Sequence, residues 1–241
     1  MKTTRQWRPL ICAASAMLAV LALLESGAAI QAAMLDLPDG LSPGDEYRIA
    51  FVTNGRRGTQ NGLSIVSYDG FVNVEARAPG SLVAFLDATW FAIASTPTTD
   101  AKLTTGTDDS PAGENGVPIY LVDAATRIAD NYDDLWDGSL DAELNLSQSG
   151  DQVDNFVWTG TLATGVRNPF MELGLATQIS GAGTTQSAGA PWINATSAVA
   201  SARLPVYAIS EVLVAVPEPT SLALLMIGTG AICVANRRSA R

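Results

Sequence analysis

Residues 88–95 read ATWFAIAS, an apolar run of strand length that carries one tryptophan. A continuous apolar run of this length is typical of a strand that is buried on both faces. Residues 156–161 read FVWTGT and predict a second core strand. Alternation along this strand should place Phe156 and Trp158 on one face, with the residue after each on the opposite face. The two tryptophan segments therefore predict a core built around short strands.

Strand-like segments continue on both sides of this core. Residues 47–53 (YRIAFVT) alternate and are rich in β-formers, and residues 204–214 (LPVYAISEVLV) predict a final strand. Residues 117–122 (VPIYLV) predict a short strand at a sheet edge, because proline cannot donate a hydrogen bond to a central ladder. Residues 126–129 are a further strand candidate.

One helix and several loops complete the pattern. Apolar residues recur at roughly helical spacing over residues 65–78 and predict an amphipathic helix. Residues 54–62, 96–116 and 181–189 are rich in glycine, proline or small polar residues and predict loops. The order of these elements indicates an α+β fold in a single compact domain, residues 34–216.

The order of landmarks resembles the endostatin-like branch of the C-type-lectin-like fold. The matching segments are residues 89–95, 117–121, 128–131, 133–139, 157–161 and 206–210. Endostatin-like domains normally hold their long loops with disulfides and, where they bind zinc, use histidines. This chain departs from both features, so the resemblance implies a compact α+β domain but no inherited site.

The N-terminus has the layout of a secretory signal peptide. Lys2, Arg5 and Arg8 precede an apolar run at residues 10–24, and small residues follow to position 33. The run is shorter than the roughly 20 residues that a membrane-spanning helix needs. We therefore expect residues 1–33 to be a signal peptide that signal peptidase cleaves between positions 28 and 33. The alternative is a permanent N-terminal anchor.

The C-terminus resembles the PEP-CTERM sorting signal. Pro217, Glu218 and Pro219 precede a short apolar stretch at residues 221–235, and Arg237, Arg238 and Arg241 follow it. The arginines should stay on the cytoplasmic side while the apolar helix crosses the inner membrane. The resemblance implies that residues 217–241 are a sorting tail. An exosortase would cut near the motif, and the protein would pass to the cell surface or extracellular matrix of a Gram-negative bacterium. The alternative is a simple tail anchor.

Composition excludes several classes of site. The chain has no histidine, and its two cysteines, Cys12 and Cys233, lie in the two apolar ends. Cysteine nucleophiles, Ser-His-Asp triads and Cys/His zinc sites are therefore excluded from residues 34–216. Six of the 14 basic residues and two of the 24 acidic residues lie in the ends. Residues 34–216 thus keep 8 basic and 22 acidic residues, a formal net charge of −14. This charge repels phosphate backbones, so we expect no nucleic-acid partner.

The densest acidic cluster suggests a calcium site. Its members are Asp130, Asp133, Asp134, Asp137, Asp141 and Glu143. Leu135 and Leu144 would occupy positions 3 and 12 of an EF-hand loop, which excludes that motif. A looser calcium site formed by Asp133, Asp134, Asp137 and Asp141 remains an expectation. The alternative is a solvated acidic loop with Trp136 packed underneath.

The ligand-binding expectation falls on Trp192. Trp90 and Trp158 have apolar neighbours and should be core, whereas Trp192 lies in a polar stretch and is expected to be exposed for ligand contact. We expect a non-enzymatic surface or matrix protein, without a cofactor unless calcium binds, that contacts polysaccharide or another surface protein. The alternative is a carboxylate-dependent glycan hydrolase, although nothing in the sequence singles out a carboxylate pair.

Overall fold

The computed structural model describes residues 37–60, 62–108, 115–176 and 179–216. The predicted signal peptide and sorting tail, including the two apolar helices expected there, lie outside these residues. The described elements are, in chain order, β1 (Glu46–Val52), α1 (Ile65–Ala76), β2 (Trp90–Ala92), α2 (Ala101–Thr104), β3 (Ile119–Leu121), β4 (Arg127–Ala129), α3 (Tyr132–Leu135), β5 (Phe156–Trp158), β6 (Ile179–Thr184), a 3₁₀ helix (Ala190–Trp192), β7 (Thr196–Val199), β8 (Tyr207–Ser210) and β9 (Leu213–Val214).

Strand β1 is the centre of a mixed sheet with the order β2-β8-β1-β3-β4. It pairs in parallel with β3 and antiparallel with β8, while β9 pairs antiparallel with its first residues. Ile49 and Phe51 belong to one core cluster, and Ala50 and Val52 belong to a second cluster on the other face. The near-continuous apolar sequence of β1 is therefore explained by burial on both faces.

Helix α1 covers one face of this sheet. Tyr68, Val72 and Ala76 recur every four residues and are fully buried, which makes one stripe of the helix part of the core. The other face is covered by α3, the 3₁₀ helix and part of a second sheet with the antiparallel order β5-β6-β7. The described residues form one compact mixed domain, mostly sheet with few helices, and contain no disulfide because neither cysteine lies among them.

The predicted strands at β1, β4 and β5 and the helix at α1 are confirmed, with shorter bounds for the last two. The segment 88–95 is a strand only over β2, and the predicted final strand divides into β8 and β9. Phe156 does not share the burial of Trp158: its side chain is 49% exposed. The expected edge position of the 117–122 strand is wrong. β3 lies between β1 and β4. Pro118 permits this central position because it precedes the strand, and the Pro118 carbonyl still accepts a hydrogen bond from Arg48 N (2.9 Å).

The prediction of a loop over residues 181–189 is also wrong for residues 181–184, which belong to β6. Small residues here reflect close packing rather than a flexible connection. A Cβ at Gly183 would collide with the carbonyl oxygen of Trp192, whereas a Cβ at Gly181 would make ordinary contacts with Gly160 and Met171. Glycine therefore allows another backbone segment to lie directly against this strand.

Candidate functional site

Trp192 is not an exposed ligand contact, so that expectation is wrong. Its side chain is 0% exposed. The ring lies against Trp136 and Tyr207, with ring centroids 5.9 Å and 5.8 Å away. Pro191 and Asn194 nearby are exposed, but Trp192 ends the 3₁₀ helix with its indole buried, and Ile193 after it is buried too. The residue is a core aromatic of the second cluster.

The structure divides the acidic cluster. The carboxylates of Asp130, Asp134 and Asp141 have oxygens within 4.8 Å of one another, whereas Asp133 and Asp137 are not part of this group. Of the four residues expected to bind calcium, Asp134 and Asp141 therefore lie together, and Asp130 completes the group.

A guanidinium group supplies positive charge to this cluster. Arg127 Nη1 lies 2.5 Å from an Asp130 oxygen, and Arg127 Nε lies 3.3 Å from an Asp141 oxygen. Asp134 accepts the backbone N–H of Asp130 (2.7 Å), and the Asp137 carboxylate accepts both the N–H and the hydroxyl of Ser139. These internal partners account for much of the cluster's hydrogen bonding and fit a solvated acidic surface. Trp136 packs beside it and donates to Thr107 Oγ1 (2.8 Å).

A polar pocket is lined by Glu143 of the acidic cluster and by residues from two other segments. It is half-open and has a volume of about 310 Å³. Its lining residues carry two carboxylates, three amides, one hydroxyl and one apolar side chain: Glu143, Asn145, Gln152, Val153, Asp154, Thr185 and Gln186.

The pocket wall is held by hydrogen bonds between distant segments. The segment from 145 to 153 folds back on itself, because Val153 N donates to Asn145 O (2.7 Å). Thr185 Oγ1 donates to Val153 O (2.7 Å), and its backbone N–H donates to Asn155 O (3.0 Å). The loop after β6 is thereby fixed to the segment that leads into β5, so the pocket is preformed.

The chemistry of the lining suits a polyhydroxylated ligand. Carboxylates accept hydrogen bonds, amides both donate and accept, and together they match neighbouring hydroxyl groups. Asn145 Nδ2 donates to Glu143 Oε2 (3.0 Å), which orients the acceptor oxygen of the amide. The half-exposed ring of Phe156, at the start of β5, lies two residues after Asp154 in the chain but does not line the pocket.

Sequence reasoning did not find this pocket. Only Glu143 belonged to the acidic cluster, and the other lining residues come from separated loops. No spacing signal connects these loops, because the hairpin at residues 145–153 and the end of β6 meet only in three dimensions. The expected calcium residues and Trp192 do not line the pocket.

The expected sorting residues, Pro217, Glu218, Pro219, Arg237 and Arg238, lie outside the described residues. Residues 215–239 match the PEP-CTERM protein-sorting motif. No curated protein matches the chain. In the part of the chain that the structure describes, no helix is both long and apolar enough to cross a membrane. The motif marks the chain as an exosortase-sorted extracellular protein, which is consistent with export and display at the cell surface.

Proposed function

We propose that this chain is a cell-surface or exopolysaccharide-matrix protein whose domain binds polysaccharide through the polar pocket. The observation that carries the proposal is the sorting motif at residues 215–239, because it sends the protein to a polysaccharide-rich compartment. Signal peptidase removes residues 1–33, the C-terminal helix holds an inner-membrane intermediate, and exosortase then releases the protein. The pocket supports the binding role because its amides and carboxylates fit sugar hydroxyl groups.

The proposal includes a C-type-lectin-like fold without disulfides. Its support is the order of the core strands and the central, fully buried Trp158. The hydrogen bonds and packing described above take the place of disulfides in fixing the long connections. A non-enzymatic role is favoured because Glu143 and Asp154 are both exposed on an open pocket. A glycosidase acid is usually shielded from water so that it stays protonated.

The same two carboxylates support the second candidate, a carboxylate-dependent glycan hydrolase. Retaining and inverting glycosidases both use one carboxyl pair across the scissile bond. Glu143 and Asp154 both line the polar pocket. Substituting Asp154→Asn would abolish turnover in a hydrolase, whereas a binding protein shows no turnover to lose.

A glycan array on the exported protein tests both candidates, with and without millimolar calcium. We expect binding to at least one polysaccharide, no release of reducing ends, and a loss of binding of about tenfold or more in the Gln152→Ala, Gln186→Ala double variant. Gln60→Ala, at an exposed amide outside the pocket, is the matched surface control. Binding that survives the double variant would contradict the pocket assignment. Binding that requires calcium would support a calcium site in the acidic cluster, where Asp134 and Asp141 of the four expected residues lie together with Asp130.

A further inference from the structure

Residues 168–171 (Asn-Pro-Phe-Met) form a tight turn with an unusual residue at its tip. Met171 N donates to Asn168 O (3.0 Å), which closes the turn. Phe170 has a φ of 69°. Because Pro169 cannot adopt a positive φ, the positive value at the third position identifies a type II turn. That position normally holds glycine or asparagine.

The Phe170 side chain stabilises the domain little in return for this strain. A bulky residue with a positive φ is conformationally unfavourable, and glycine would form the same turn without the penalty. The ring is 80% exposed, so it buries little apolar surface within the domain. Strained positions of this kind often mark a contact with a ligand or partner.

Hydrogen bonds hold the turn at both ends, so the backbone that carries the ring has a fixed place on the surface. Asn168 N donates to Gly160 O (2.9 Å), and Gly181 N donates to Met171 O (2.7 Å). The preceding Arg167 donates through its backbone N–H to Asp100 Oδ1 (3.0 Å) and through Nη1 to Pro97 O (2.6 Å). A preorganised contact residue loses less conformational entropy when a ligand binds.

The surroundings of Phe170 indicate the chemistry of its partner. Asn168, the first residue of the same turn, donates through Nδ2 to Asn194 Oδ1 (3.3 Å), and the two amides keep further donors and acceptors for a ligand. The formal net charge of −14 over residues 34–216 disfavours close approach of a second copy or of a polyanion. An exposed aromatic face next to amides suits an uncharged, polyhydroxylated ring.

We propose that Phe170 stacks against a sugar ring of a neutral polysaccharide, with Asn168 and Asn194 contacting its hydroxyl groups. This contact surface is separate from the polar pocket. The pocket adjoins the Phe156–Thr184 end of the β5–β6 pair, whereas the turn is bonded to Gly160 and Gly181 beyond its other end. The inference shares the ligand class of the proposed function but not its residues.

Selective labelling of phenylalanine rings tests this inference in the exported protein. The chain contains six phenylalanines, and all lie between Phe51 and Phe170. The Phe170 ring signal is assigned by its loss in Phe170→Gly. Neutral gluco-, manno-, galacto- and xylo-hexasaccharides are then titrated in turn. We expect at least one series to shift the Phe170 signal and to leave that of Phe85, a second exposed aromatic, unmoved.

Two variants of Phe170 and one control at Phe85 distinguish a ligand contact from a structural role of the ring. Phe170→Gly should weaken binding of the active hexasaccharide about five- to tenfold, as expected for the loss of one aromatic contact. Its melting temperature should stay equal to or rise above that of the wild type, because glycine relieves the positive φ. Phe170→Trp should retain binding, and Phe85→Ala should match the wild type.

A Phe170 signal that no hexasaccharide shifts would overturn the inference, as would unchanged affinity in Phe170→Gly. The Gln152→Ala, Gln186→Ala variant distinguishes the two sites. If it loses array binding while the Phe170 shift persists, both proposals stand. If array binding is unaffected by that variant but lost in Phe170→Gly, the pocket proposal fails alone.

Discussion

Trp158 connects three parts of the domain through its side chain and its backbone. Its ring is fully buried in the core cluster that also contains Tyr68 and Val72 of α1. Its indole Nε1 donates to Arg57 O (2.8 Å), in the connection between β1 and α1. Its backbone lies between Ala182 of β6 and Val206, so the residue links the second sheet to the first.

Trp158→Ala should therefore lower the free energy of unfolding by about 3–5 kcal/mol, the usual range for a buried large aromatic. Trp158→Phe should cost less, because it keeps most of the packing and loses mainly the hydrogen bond to Arg57. Trp192→Ala should be destabilising to a similar extent, since this ring is equally buried. Urea unfolding at 25 °C measures all three. Val74→Ala, on the exposed side of α1, is the control and should change stability by less than about 0.5 kcal/mol.

A Trp192→Ala variant as stable as the wild type would contradict the burial of that ring. Local sequence could not reveal this burial. Pro191 and Asn194 are both exposed. The residues that enclose the indole, Trp136 and Tyr207, are distant in the chain. Trp158 could be predicted correctly because its own strand neighbours already carry the apolar signal.

Two side chains of helix α1 form hydrogen bonds with the backbone of the edge strand β2. Asn73 both donates to Trp90 O (2.6 Å) and accepts from Trp90 N (3.2 Å), as a paired strand would. Asp69 Oδ1 accepts from Ala92 N (2.9 Å). These side chains satisfy backbone groups that an edge strand would otherwise leave unpaired.

Burial raises the pKa of Asp69, and the hydrogen bond from Ala92 opposes this only in part. A raised pKa in the folded state favours the protonated carboxyl. The protonated Asp69 carboxyl therefore contributes its full stabilisation below the unfolded-state pKa of about 3.9. That stabilisation is lost as pH rises through the folded-state pKa. Compared with Asp69→Asn, whose amide stays neutral, the wild type should lose relative stability between pH 3.5 and pH 7. Urea unfolding of both proteins across this range is the measurement. A relative gain with rising pH would mean that the bond to Ala92 outweighs burial.

The elements that sequence predicted correctly are those rich in apolar residues. β1 is a nearly continuous apolar run, and the buried residues of α1 are four positions apart, so the bounds of both were nearly right. β6 was missed because ISGAGT carries little apolar signal, and its glycines serve contacts that sequence does not show. The pocket was missed for a related reason: its residues lie in irregular loops, where position depends on long-range hydrogen bonds rather than on local preference.

At the scale of the whole molecule, the folded domain ends next to the sorting motif. Ala215 N donates to Asp45 O (2.8 Å), and Gly44 N donates to Ala215 O (2.7 Å), so the last described residues are fixed beside the start of β1. The match to the sorting motif begins at the same residue, Ala215. The expected cleavage near Glu218 is therefore separated from the folded sheet by very few residues.

The mature protein should lack the residues beyond about Glu218, because exosortase cuts near the motif. Intact mass of the protein recovered from the cell surface measures this directly. Replacing Pro217, Glu218 and Pro219 with alanine should leave the apolar stretch attached and the protein in the membrane fraction. Wild-type surface protein that retains Arg237 and Arg238 as its main form would contradict sorting by this tail.

The central position of β1 links two events in time. β1 is the first strand of the domain, but β8 and β9, which complete one of its sides, are the last to be synthesised. If the chain is exported from its N-terminus, as we expect, that side must stay open until almost all of the domain has emerged. Contacts between such distant segments also form slowly. We therefore expect the sheet to be completed only after the segment next to the sorting motif has reached the membrane.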